Sequence, residues 1–179
     1  MRASMTDHEA ILAAQSGDSE AFAGLVRKYE RAAYRHALAL LRRAEDARDA
    51  VQDSFLAAFR ALRRLDARRS FYPWFYVVLR NRCYAMLRAR APTEKLNESD
   101  VGSPIVAADE DAAELGRALA CLAPEDREML VLKYIEGRRY SEIAELLAIP
   151  PGTVASRLHV ARQRLADQLR SERRAEVPT

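Results

Sequence analysis

An all-α protein made of two small helical domains is predicted, and three observations predict it. Glycine and proline are scarce, at six and seven of 179 residues, while Ala, Leu, Arg and Glu dominate; that bias favours helix. Apolar residues recur every three or four positions, and no stretch alternates with the period of two that marks a half-buried strand. The pattern fails between Ala91 and Ala108, where Pro92, Asn97, Gly102 and Pro104 interrupt a polar, acidic run. The expected division is a helical bundle over 1–91, a linker over 92–108 and a second helical domain over 109–179.

The bundle should open at Thr6-Asp7-His8-Glu9, whose spacing is that of a capping box, with a short helix ending near Gly17. Asp18 or Ser19 can cap the next helix, whose stripe runs Phe22, Leu25, Val26, Tyr29, Ala33, Ala37, Leu40 and Leu41. A third helix begins near Glu45 and carries Val51, Phe55, Phe59 and Leu62 on one side. After a break at 66–70, a fourth starts near Pro73 and runs through Trp74, Val77, Val78 and Leu87 to about Arg90.

In the second domain 109–122 reads as one helix, and Pro124 starts another that ends at Gly137, a residue suited to a C′ position. Ser141 can cap a short helix to Ala148. The turn Ile149-Pro150-Pro151-Gly152 then leads into a long helix reaching about Ser171. A short helix, a tight turn and a longer basic helix follow the order of a helix-turn-helix reader of DNA, though helical hairpins with no such role share it.

Charge is unevenly spread. Residues 1–90 hold 17 Lys and Arg against 10 Asp and Glu, residues 91–136 hold 4 against 11, and residues 137–179 hold 8 against 5. Two basic blocks thus flank an acidic middle, and basic surfaces concentrate polyanions such as nucleic acid. Arg-rich helices are also compatible with a plain solvated surface. Cys83 and Cys121 stand alone, with no second cysteine or histidine at ligand spacing, and are expected as small core residues. No apolar run nears the ~20 residues that span a bilayer, and the start lacks a signal-peptide core, so a cytoplasmic protein, not itself membrane-embedded, is expected. No nucleophile–base pair, metal cluster or phosphate-cradling glycine loop is present. Neither enzymatic activity, nor a cofactor or metal, nor a small-molecule substrate is expected.

On the last helix Val154, Leu158, Ala161, Leu165 and Leu169 form the inward stripe. Thr153, Ser156, Val160, Gln163 and Arg164 point away from it, with Arg157 on its flank. Side chains at the start of such a helix can enter a major groove, where Arg bonds guanine and Ser or Thr bonds bases or phosphate. Arg162, Arg164 and Arg170 suit phosphates, or solvent.

The stretch from Leu122 to Leu169, with Tyr140-Ser141-Glu142-Ile143-Ala144-Glu145 and Pro151-Gly152-Thr153-Val154-Ala155-Ser156-Arg157-Leu158-His159, resembles region 4 of the extracytoplasmic-function (ECF) sigma factors of the sigma-70 family. The first domain is similar to their region 2. Its Glu45-Asp46-Ala47-Arg48-Asp49-Ala50-Val51-Gln52-Asp53-Ser54-Phe55 resembles the polymerase-binding helix, and Ser70-Phe71-Tyr72-Pro73-Trp74-Phe75-Tyr76 with Arg80-Asn81 resembles the promoter-melting segment. These motifs stand in family order over nearly the whole chain.

The resemblance implies a transcription initiation factor that binds core RNA polymerase, through the β′ coiled coil and the β flap, and recognises promoter DNA, with an anti-sigma factor as a further partner. Asp46, Asp49, Gln52 and Asp53 would form the polymerase-binding face, where carboxylates suit an Arg-rich partner. Arg68, Arg69, Phe71, Tyr72, Trp74, Tyr76, Arg80 and Asn81 would capture the −10 strand, since single-strand binding needs aromatic or amide groups beside basic ones. Trp74 is also suited to the core, and Asn81 to a bond with backbone. Thr153, Ser156, Arg157, Val160 and Arg164 would read the −35 element; apart from the resemblance, Val160 as an apolar side chain on the outward face is a candidate to touch a thymine methyl group there.

Departures from the family pattern fall at Arg48 and Ala50, at Tyr72-Pro73, and at Ala155 and Val160, where family members usually carry Lys or Arg. The acidic stretch Glu94–Asp111 is a candidate to thread toward the polymerase's nucleic-acid channel. Two rivals stay open: a helix-turn-helix regulator that works without polymerase, and a sigma-like protein that sequesters an anti-sigma factor.

Overall fold

A computed structural model of the chain describes residues 5–90 and 110–175, the side chains of 110–113 and 172–175 excepted, and every described element is helical. The linker expected at 92–108 lies outside the described residues.

α1 (Asp7–Gln15) starts at the expected capping box: the Thr6 hydroxyl accepts from the Glu9 amide, and the Glu9 carboxylate accepts from the Thr6 amide at 2.8 Å. Gly17, at φ +104°, lets the chain turn back where a side chain would be strained. Asp18 then caps α2 (Ser19–Leu41), accepting from the Glu20 and Ala21 amides. Arg42 ends α2 in the left-handed region. α3 (Ala44–Ala61) continues as a single 3₁₀ turn, Leu62–Arg64. α4 (Phe71–Ala89) begins two residues before Pro73, so the proline falls inside the first turn.

The core of this bundle is aromatic. The Phe55 and Phe75 rings stack with centroids 4.2 Å apart, Phe71 stacks on Phe75 at 5.6 Å, and Phe22 meets Phe71 edge-on. Such contacts add about 0.5–1.5 kcal/mol per pair beyond area burial. Phe59 is half exposed, yet its ring rests on Phe22 at 5.0 Å. Val77 faces outward. The α3–α4 connection is pinned from α1: the Gln15 amide donates to the Leu62 and Leu65 carbonyls, and His8 Nδ1 lies 2.8 Å from the Ala67 carbonyl.

The second domain comprises α5 (Glu110–Cys121), α6 (Pro124–Leu130), α7 (Tyr140–Leu147) and α8 (Pro151–Ala175). Pro124 takes the first-turn position as expected. The helix it starts does not stay α-helical: Val131–Ile135 form a π turn, with Glu136 donating to the Val131 carbonyl. Gly137 follows at φ +66°.

α7 is capped differently from expectation. Ser141 lies inside the helix, Arg139 holds the cap position, and the Glu142 carboxylate accepts from the Arg139 amide at 2.7 Å. Ala148 turns the chain in the left-handed region before Pro150 and Pro151 set the start of α8. Val154, Leu158 and Ala161 are buried against Ile143, Leu146, Met129 and Leu130, as the inward stripe requires. Cys83 is buried as expected; Cys121 is exposed, because it closes the last turn of α5 on the outer side.

The domains dock. α6 lies against α2 and α7 against α4, and buried apolar residues of both domains form one continuous cluster. The C-terminal end of α2 takes arginines from both sides: Arg127 Nη2 of α6 donates to the Leu40 carbonyl at 3.1 Å, and Arg90 Nη1 donates to the Leu41 carbonyl at 2.9 Å. Cations there satisfy carbonyls that the helix leaves unpaired and oppose its dipole.

Candidate functional site

The face expected to bind polymerase is built on α3. Val51 and Phe55 bury themselves in the bundle, which turns Asp49, Gln52 and Asp53 outward. Asp46 is half-buried and held by Arg90 and Arg43; Asp53 pairs with Arg82 of α4 at 2.6 Å. Leu56, next along the same face, is 46% exposed.

The eight residues expected to capture the −10 strand separate into four groups. Arg68 and Arg69 are exposed on the α3–α4 loop, next to exposed Arg63 and Arg64. Trp74 is half-buried against Phe71, and Asn81 is exposed on the outer side of α4. Phe71 is fully buried within the aromatic core and presents no face for a base to stack on. Tyr72, Tyr76 and Arg80 recur every four residues, so they line one stripe of α4 with Tyr84, and the second domain covers that stripe.

What covers it is a pair of buried carboxylates. Glu128 of α6 accepts from the Tyr76 hydroxyl at 2.6 Å, Arg80 Nε at 2.8 Å and the Tyr84 hydroxyl at 3.1 Å. His36 of α2 stands between the acids, with Nε2 2.8 Å from the Tyr76 hydroxyl and Nδ1 3.6 Å from Glu136 Oε1. The other Glu136 oxygen meets the Tyr72 hydroxyl and Arg138 Nε at 3.4 and 3.3 Å.

The π turn explains why two glutamates eight positions apart both reach His36. In a regular α-helix they would point about 80° apart; one extra residue per turn brings them to within about 20°.

Burial alone would raise the pKa of Glu128, but the hydrogen bond and positive charge of His36, with Arg80 and Tyr76, hold it at about 2. Burial likewise works against a charged His36, and the two glutamates outweigh it, so His36 is raised above its ordinary value. Glu136 is lowered against its own burial by His36 and Arg138. Protonated His36 donates through Nε2 to the Tyr76 oxygen, and Tyr76 passes a hydrogen bond on to Glu128. His36, Glu128, Glu136, Tyr84 and Arg138 were not singled out from sequence. The available signal was a histidine inside the apolar stripe of α2, between Ala33 and Leu40, and a glutamate directly before Met129 and Leu130.

The third surface is the outer face of α8. Ser156, Arg157, Val160 and Arg164 are exposed and Thr153 is half-buried, with Val160 39% exposed. Arg164 pairs with Asp126 of α6 at 2.5 Å, while the Ser156 hydroxyl is turned to its own helix, donating to the Thr153 carbonyl. Among the described residues no cluster of histidine, cysteine and acidic side chains could hold a metal ion. No described helix is long and apolar enough to cross a membrane.

Comparison with known proteins decides the family. The family model described as sigma-70 region 2 matches residues 25–93, and that of sigma-70 region 4 matches 112–165. The chain is 31% identical to the ECF RNA polymerase sigma factor SigW of Bacillus subtilis over 87% of its own length and 92% of that protein's. It belongs to the ECF sigma factors of the sigma-70 family.

SigM of Mycobacterium tuberculosis, another ECF RNA polymerase sigma factor, is 34% identical over 90% of this chain and 83% of its own. Among solved structures, CnrH in complex with the cytosolic domain of CnrY superposes with a TM-score of 0.74 at 27% identity, covering 92% of this chain and 97% of that one. The sigma factor RpoE of Bartonella quintana, in complex with the anti-sigma factor NepR, superposes at 0.68 with 25% identity, covering 83% and 96%. The matched order of regions 2 and 4 is that of the two docked domains, so this ECF sigma factor carries both expected domains.

Proposed function

We propose that this sigma factor joins core RNA polymerase through α3, recognises the −35 element with α8, and engages the −10 strand with the α3–α4 loop and α4. The observation that carries this reading is that three surfaces of suitable chemistry lie on separate elements of one chain. An acid-and-amide face with Leu56 occupies α3, exposed arginines occupy 63–69, and a polar face with Val160 opens α8 after a tight turn.

Each surface suits its partner. Carboxylates at Asp49 and Asp53 meet guanidinium groups directionally. Arg63, Arg64, Arg68 and Arg69 supply phosphate contacts beside Trp74 and Asn81, which offer a ring and an amide to an unstacked base. Arg157 and Arg164 offer forked donors to guanine or phosphate. Initiation then needs no chemistry from the sigma factor itself: opening trades duplex stacking for contacts to extruded bases. The named partners of CnrH and RpoE support an anti-sigma factor as a further partner.

The test is transcription in vitro with core polymerase on fragments of the organism's genome. Specific start sites that depend on this protein are expected. Polymerase binding without any specific start would instead favour a sequestering protein, and gel shifts without polymerase would favour an independent regulator.

A further inference from the structure

The last carbonyls of α2 draw in arginines from two other elements. Arg127 of α6 donates from Nη2 to the Leu40 carbonyl at 3.1 Å, and Arg90, which ends α4, donates from Nη1 to the Leu41 carbonyl at 2.9 Å. Arg42 stands at the next position, ending α2 in the left-handed region. Their charges act on one another. Burial first, and then Arg42, lowers the pKa of Arg127 to about 10, and burial together with Arg90 lowers that of Arg42.

Counter-charge is short here. Asp46 holds Arg90, but among the described residues no carboxylate lies within ion-pair distance of Arg42 or Arg127. Arg127 Nη1 is spent on the Ala120 carbonyl at the end of α5, at 3.0 Å. The C-terminal ends of α2 and α5 each carry roughly half a negative charge, so with Asp46 they offset about two of the three positive charges. The charge left over is that of Arg42, whose side chain makes no hydrogen bond among the described residues and whose Nε is out of solvent. Arg127 is only 6% exposed, and its Nε is likewise out of solvent and unbonded. Buried donors of this kind ordinarily find an acceptor.

We propose that Arg42, Arg90 and Arg127 form a binding site for the phosphate group of a small molecule. Donors arriving from three elements suit a tetrahedral group with three free oxygens better than a planar carboxylate, which presents a single forked edge. Arg42 and Arg90 are partly exposed, and Cys121 beside Arg42 is exposed, so a small anion can enter from solvent. Arg127 lies too deep for the backbone of a duplex to reach, whereas a terminal phosphate on pyrophosphate or a nucleotide is narrow enough. Arg90 also holds Asp46 at the edge of the α3 face, so a bound phosphate competes for the guanidinium that restrains that acid. That consequence, unlike the site, rests on the polymerase face proposed above.

The experiment titrates the full chain, carrying isotope-labelled arginine, with pyrophosphate and with adenosine diphosphate at constant ionic strength, and follows the Nε–H resonances by NMR. Those of Arg42 and Arg127 should move and saturate. Saturation at a lower concentration of adenosine diphosphate assigns the phosphate to a nucleotide, and the reverse order assigns it to the inorganic anion. Arg42→Gln should weaken binding by about tenfold or more, since a charge-assisted contact is lost. Its melting temperature in phosphate-free buffer should not fall, because Arg42 has no bond to lose.

Resonances that stay in place, shifts that never saturate, or equal binding by Arg42→Gln each overturn the site. Movement caused by a single-stranded oligonucleotide without terminal phosphates, and by neither small anion, assigns these arginines to a nucleic-acid surface and overturns it as well. If Arg42→Gln does not fold, alkylation of Cys121 in the wild-type chain replaces it; Cys83 is buried and does not compete. Saturating ligand should slow that alkylation, and an unchanged rate overturns the site.

Discussion

The Tyr76 hydroxyl donates to Glu128 Oε1 at 2.6 Å, joining residues 52 positions apart across the junction of the two domains. Both side chains are out of solvent, with Tyr76 at 0% and Glu128 at 1% exposure. Tyr76→Phe keeps the ring but leaves the carboxylate short of a donor and His36 Nε2 without its nearest partner. Loss of a hydrogen bond to a buried charged group costs about 1.5–3 kcal/mol. Thermal unfolding should shift down by several degrees, and a melting temperature equal to wild type would show that the junction adds nothing to stability.

Proton linkage follows from the same cluster. When the domains part, His36 and Glu128 return toward ordinary values of 6.5 and 4.5, while Glu136 loses His36 but keeps Arg138 beside it. Docking raises His36, so its contribution is fully present below 6.5 and is lost as pH rises through the docked value. Docking lowers Glu128 to about 2 and Glu136 below 4.5, so theirs is present above 4.5 and is lost as pH falls through the docked values. The closed state is therefore strongest between 4.5 and 6.5 and loosens on the alkaline side. Facing this cluster are Tyr72, Tyr76, Arg80 and Tyr84 from α4 and Arg138 beside Glu136; the raised tyrosines stay neutral throughout. Scattering from pH 6 to 9 should show a growing radius of gyration in wild type and a flat profile in His36→Gln. Equal profiles would assign the expansion to another group.

Helical class, both domains and most helix starts were legible from sequence because they rest on local chemistry. Thr6 with Glu9, Asp18, Gly17 and Pro124 act within one turn of where they stand. The inward stripe of α8 was legible for the same reason, since Val154, Leu158 and Ala161 repeat at helical spacing. The junction was not, because nothing near His36 names Glu128, 92 residues away. Tyr76 was assigned to DNA on the strength of an aromatic and basic segment, and the same side chain suits a buried hydrogen bond equally well. Phe71 was placed at the DNA on the same segment and its likeness to the promoter-melting stretch, and composition alone does not show that its ring packs among Phe22, Tyr29 and Phe75.

On α3 the exposed face can be tested without disturbing the fold. Asp49, Gln52 and Leu56 are exposed, while Val51 and Phe55 behind them are buried. Asp49→Ala with Leu56→Ala should leave the melting temperature within about 2 °C of wild type, as exposed substitutions usually change stability by under ~0.5 kcal/mol. Affinity for core polymerase should fall by about tenfold or more, since a central apolar contact and a directional charge are both removed. Unchanged affinity in a binding assay would move the polymerase face off this part of α3.

Val160 offers the narrowest test of base recognition. It stands where a plain solvent face would carry a polar group, and it is 39% exposed on the side of α8 turned away from the inward stripe. Its isopropyl group has no cost to recover in the free protein beyond contact with water, so Val160→Ala should not change folding stability measurably. In a −35 complex, the same change would remove apolar contact with a thymine methyl group, and a lost base contact costs about 1–3 kcal/mol at one position. Selection of promoter variants by wild type and Val160→Ala should therefore differ at a single −35 position, with preference for thymine reduced there and retained elsewhere. Arg157→Ala, by contrast, should remove preference for guanine at a different position if it reads a base, or weaken all sequences alike if it holds phosphate. Identical preferences for Val160→Ala and wild type would leave Val160 as an exposed valine with no part in reading the element.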